Sequence, residues 1–159
     1  MTRLKPLDIG LMTDRQKQVY DAIVSGPRGQ VRGPLAVWLH RPELASKAQE
    51  LCQYCRYDSA LPPRLSELAI LTTARIWDAA FEWQAHVPHA LAGGITPAVI
   101  ASLESDETPQ FDMTDEAVVY AFARELNMTR AVTDETFDRT IDYLRADATV
   151  DSVGVRGDY

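Results

Sequence analysis

Glu82 and His86 are four residues apart, so any helix that carries them places both on one face. A carboxylate beside an imidazole makes a proton-transfer couple. It stabilises the charged ring, fixes the tautomer, and leaves a group that donates or accepts a proton near neutral pH. Glu67 belongs to the preceding helix, and antiparallel packing of the two helices would turn it toward the pair. Asp78 is four residues before Glu82 but falls near an expected turn. The plainer alternative is a solvated surface pair or a polar group satisfied in a core, and such pairs outnumber functional ones.

Glu82, His86 and His89 follow an i, i+4, i+7 pattern that invites a metal. Pro88 sits between the histidines, His40 is far off in sequence, and no second histidine pair completes a ligand set. No metal is therefore expected. Cys52 and Cys55 form a C-x-x-C. A redox dithiol usually opens a helix, where the dipole favours the thiolate. Here the pair falls near the end of one, so buried small side chains are the expected role. Arg32, Arg41, Arg56, Arg64 and Arg75 surround these segments, and an anionic substrate would need one of them as a fork. Trp38, Trp77 and Trp83 are packing residues by default and pocket walls second.

These side chains must be positioned by helices joined by short turns. Thr13 with Gln16 forms a capping box for a helix from Asp14 to about Val24. Residues 25–33 form a Gly- and Arg-rich loop, Pro34–His40 a short helix, and Glu43 to about Tyr57 a longer one opened by Pro42. Residues 64–91 are the apolar heart, with a turn or kink near Asp78 and Ala79 and a stop at Gly93-Gly94. Thr96-Pro97 opens a helix to about Glu104, Thr114 caps one through Asn127, and Thr133 caps one through about Ala146. The tail, Val150–Tyr159, is ambiguous. Strand signals are almost absent, so the fold class is all-α: one domain over residues 1–159, a bundle of six to eight helices.

Composition bounds the function. The chain has 159 residues, 46% of them hydrophobic and 25% charged, enough to bury a core. Sixteen Lys and Arg against 23 Asp and Glu give a net charge of −7, which argues against nucleic acid or an anionic membrane as partner. A locally positive pocket for a small anion remains compatible with that balance. Two cysteines make no disulfide framework, and the first residues lack the apolar run of a signal peptide, so a cytoplasmic protein is expected.

The runs LSELAIL (65–71) and FEWQAH (81–86), then Ala90 and Gly94-Ile95, resemble the carboxymuconolactone decarboxylase family, which includes the alkylhydroperoxidase D-like proteins. The segment from Arg32 to Ala45 is similar to that family's entry segment, and the likeness is clearest over residues 32–100. The peroxidase branch of the family carries a glutamate, a C-x-x-C and a histidine. In this sequence the glutamate and histidine match Glu67 and His86, while the cysteine positions hold Ala79 and Glu82. The resemblance therefore implies the decarboxylase side: a cofactor-free acid–base lyase for a small carboxylated lactone or related organic acid. His86 would be the acid–base group, with Glu82 and Glu67 completing its network. Arg32 and Trp83 would contact the substrate. It also implies a homo-oligomer, trimeric or hexameric, with an alkylhydroperoxidase D-like helical fold. The alternatives are a thiol-dependent, peroxiredoxin-like antioxidant protein using Cys52 and Cys55, and a non-catalytic ligand-binding relative. Relatives continue the tail into a final helix, which places that end of the pocket wall or subunit contact in question.

Overall fold

The structure, a computed structural model, describes residues 4–158. Among the described residues there are eight α-helices and no strand. They are α1 (Asp14–Ser25), α2 (Pro34–Trp38), α3 (Pro42–Gln53), α4 (Pro63–Ile76), α5 (Ala80–Gly93), α6 (Pro97–Glu104), α7 (Thr114–Thr129) and α8 (Asp134–Asp158). No helix among the described residues is long and apolar enough to cross a membrane. The chain divides into two compact units, Met1–Asp58 and Ser59–Tyr159.

In the first unit the predicted capping box forms: Thr13 accepts from the Gln16 N–H, and Gln16 bonds back to the Thr13 backbone. Val19, Ile23, Leu35, Leu39 and Ala45 make its core, with Trp38 packed against them. The expected helix to Tyr57 ends instead at Gln53 and gives way to one π-helical turn, Tyr54–Asp58. Cys52 and Cys55 straddle that transition as buried thiols.

The second unit is organised around α4. Every residue from Leu65 to Ala74 is buried, so this helix is covered on all sides, by α5, α6, α7 and α8. Its buried hydroxyls are satisfied locally: Thr72 and Thr73 donate to the Leu68 and Ala69 carbonyls at 2.8 and 2.9 Å. Asp78 takes a left-handed φ of 49°, which makes the turn the sequence predicts. α5 then returns antiparallel: the Ala79 N–H donates to the Ala74 carbonyl at one end, and Gly93 lies against Arg64 at the other. A Cβ on Gly93 would meet the Arg64 backbone nitrogen at 3.2 Å. Gly94, at φ 107°, ends the helix as expected.

Two further expectations need adjustment, and one holds. Thr114 does not cap α7 but is its first residue, after Met113, and the helix runs past Asn127 to Thr129. Thr133 does accept from the Thr136 N–H, and Glu125 supports the same turn by accepting from the Thr133 N–H at 2.6 Å. α8 breaks at Arg145 (φ 65°, ψ 170°) and resumes as helix through residue 158, so most of the ambiguous tail is helical.

Two arginines meet burial in opposite ways. Arg64 bonds both Asp115 oxygens, at 3.2 and 2.6 Å, and Glu116 at 2.6 Å, tying the start of α4 to the start of α7. The Asp115 bonds first, then those of Glu116, hold its guanidinium even more firmly protonated than usual. Arg64→Met would leave the buried Glu116 carboxylate without its cation. The expected loss, read by denaturant unfolding, is about 3–5 kcal/mol, with partial recovery when Glu116→Gln is added.

Arg156 is 7% exposed, with its guanidinium 4.5 Å from the Phe122 ring centroid and donating to Ser152 Oγ at 3.1 Å. Its Nε and Nη1 have no hydrogen-bond partner among the described residues. Burial pushes this guanidinium down to about 10. The folded chain thus holds that proton less tightly than the unfolded chain does. The cost of burying the charge is in full force below about pH 10 and fades as pH rises beyond it. Arg156→Met should therefore raise stability at pH 7 by about 1–3 kcal/mol, seen as a higher Tm, with the gain shrinking above pH 10.

Candidate active site

Antiparallel pairing of α4 and α5 brings Glu67 and His86 together in the second unit. His86 is 2% exposed, and its Nδ1 lies 2.6 Å from Glu67 Oε2. Nε2, on the far side of the ring, faces Glu82 Oε2 at 3.7 Å, within ion-pair range but beyond a hydrogen bond. The imidazole is thus bracketed by two carboxylates. Glu67 is the deeper one, its side chain 8% exposed, and Glu82 the outer one, at 18%.

All three catalytic candidates therefore converge, with their order changed. The tight partner of His86 is Glu67, 19 residues away in sequence, and not the i, i+4 neighbour Glu82. A neutral ring that donates Nδ1–H to Glu67 turns Nε2 toward Glu82 and the edge of the seam. Removal from water strengthens this contact and holds the ring in one orientation. When the ring carries a second proton, on the Nε2 that faces Glu82, Glu67 stabilises its charge.

The other candidates separate. His89 is exposed, its ring centroid 6.0 Å from that of His86. Among the described residues no group of three His, Cys, Asp or Glu is arranged to hold a metal ion. Arg32 is exposed, in the loop before α2 of the first unit. His40, also in that unit, bonds the Lys5 carbonyl at 2.9 Å through Nε2. Trp77 is 66% exposed and donates to Asn127, which in turn bonds the Thr73 hydroxyl. Trp83 does line a hollow, of about 240 Å³, in the second unit. Arg75 lines it too, a residue the sequence marks only as one of five arginines. Its signal is the Arg75–Asp78 spacing at the end of α4, where the two side chains pair at 3.0 Å.

These features define a class: an all-α protein whose paired helices bury a carboxylate–imidazole centre. The sequence model of the carboxymuconolactone decarboxylase family matches residues 42–125, and the chain belongs to that family. Its helical architecture is the alkylhydroperoxidase D-like one. A search of curated proteins finds no match. The matched span contains Glu67, Glu82 and His86, and cysteines are absent from positions 79 and 82.

The Glu67 contact fixes an observable tautomer. Nitrogen-15 NMR of the His86 ring in its neutral form should show the proton on Nδ1. Glu67→Gln, which keeps the shape but removes the charge, should mix the tautomers.

Proposed function

We propose that the protein is a cofactor-independent acid–base enzyme that removes carbon dioxide from a small carboxylated lactone or a closely related organic acid. The observation that supports this reading is the buried His86 imidazole held between Glu67 and Glu82. Family membership supports a relative of the decarboxylases, and the absence of cysteine at positions 79 and 82 favours acid–base chemistry over the thiol route.

In this reading the bond between the ring carbon and the leaving carboxylate breaks. Its electron pair moves into the adjoining conjugated carbonyl, which becomes an enolate, and carbon dioxide departs. His86, protonated on Nε2, then delivers that proton to carbon and the carbonyl re-forms. Glu67 steadies the imidazolium that supplies the proton, and Glu82 passes a replacement from the edge of the seam. The buried setting keeps bulk water from competing for the enolate. A homo-oligomer, trimeric or hexameric, accompanies the proposal. Phe81 and Leu91 on α5, 52% and 43% exposed, support it as apolar surface that assembly would cover.

A panel of carboxylated lactones and keto acids, read by carbon dioxide release, tests the function. His86→Ala should lower release by at least about 10²-fold while circular dichroism stays unchanged. Glu67→Gln should lower it less. Replacing both Cys52 and Cys55 by serine should leave it intact. Full turnover by His86→Ala would remove the proposal, and loss of turnover with the cysteines would turn it toward thiol chemistry.

A further inference from the structure

α8 is two helices joined at Arg145, and its second part, residues 146–158, packs the wrong way round. A helix at a protein surface normally buries its apolar side and turns its polar side to water. Among the described residues of this segment, Ala148, Thr149, Ser152, Val155 and Arg156 are buried, three of them polar. Val150 and Val153, in contrast, are 69% and 48% exposed.

Docking loads the segment on two independent counts. Arg145 sits at φ 65° and ψ 170°, a backbone region that only glycine enters without strain. Arg156 carries a guanidinium into contact with α7, where its Nε and Nη1 meet no acceptor among the described residues. The Phe122 ring beneath it makes good only part of the lost hydration. Release into water removes both loads: the guanidinium is hydrated again, and Arg145 returns to an ordinary φ.

Much of the segment's polar bonding survives release. Thr149 Oγ1 donates to the Arg145 carbonyl at 2.7 Å, Ser152 Oγ to the Thr149 carbonyl at 2.8 Å, and Arg156 to Ser152 Oγ at 3.1 Å. Each of these bonds joins neighbours on the same helix. Opposing release are the small apolar burial of Ala148 and Val155, the Arg156–Phe122 contact, and a bond from the Ala60 N–H to Asp151 at 2.7 Å. That last bond pins the segment to the chain just before α4.

We infer that residues 146–158 form a detachable strap, which swings out about Arg145 as one unit and takes Arg156 into water while α4, α7 and the first part of α8 stay folded. Docked, the strap lies over Phe122, which is 3% exposed; released, it bares that ring. The inference is independent of the reaction proposed above.

Amide hydrogen exchange of the full chain, followed by NMR residue by residue, tests it. A helix that merely frays exchanges faster and faster toward its end. A strap that leaves as a unit gives the amides of residues 149–157 one shared protection, at least about 100-fold below that of Leu68–Leu71 in α4, and residues 138–144 do not share it. Arg156→Met removes the buried charge and keeps a side chain on Phe122, so it should raise the shared value at least about tenfold. Arg156→Lys, which keeps a cation there, should not raise it. Arg145→Gly leaves Arg156 in place and relieves the hinge, and it too should raise protection. Asp151→Ala, which removes the pin, should lower it. Circular dichroism establishes that each variant is folded. Strap amides as protected as those of α4, protection that falls steadily toward residue 158, or an Arg156→Met variant with the wild-type value would overturn the inference.

Discussion

The site depends on one contact: a glutamate from α4 bonded to a histidine from α5 inside a helix pair that excludes water. Neither group is stable there alone. An isolated carboxylate in such surroundings pays heavily for lost hydration, and an unbonded imidazole nitrogen loses a hydrogen bond it would make in water. Together they answer each other at 2.6 Å, and the surrounding packing prevents either from turning away. The almost unbroken apolar character of α4 serves this end. A helix buried on every side leaves a polar residue in its middle no route to solvent, so Glu67 must find its partner within the protein.

Burial is handled differently elsewhere in the same unit. Arg64 meets two carboxylates at the start of α7 and acts as a clamp between helix ends. Arg156 rests on Phe122 and a single hydroxyl, with much of its hydrogen-bonding capacity unused among the described residues. The contrast shows how little composition says about stability. Both residues count equally toward net charge, yet one braces the fold and the other loads it.

Much of this was legible in the sequence. Helix starts with local chemistry, such as Thr13 with Gln16 and Thr96 with Pro97, could be read because cap and helix lie within four residues of each other. The break at Asp78 and the stop at Gly94 could be read for the same reason. The ends of α3 and α7 could not, since tertiary packing decides where those helices stop. At the site, spacing pointed to Glu82 as the main partner of His86, because a one-dimensional reading favours neighbours on one helix. The shorter bond to Glu67 depends on the register between two helices, which no local pattern records.

Gly93 gives that register a gauge. The absent side chain lets the end of α5 rest on the backbone of Arg64, where one added carbon would sit within 3.2 Å of the amide nitrogen. A bulkier residue would act as a shim, prising the strut of α5 off its seat. The hinge at Asp78 would turn that displacement into a small rotation, with His86 partway along the lever. The separation between Glu67 and His86 is thereby trimmed by the smallest residue in the alphabet, about two helical turns from the ring.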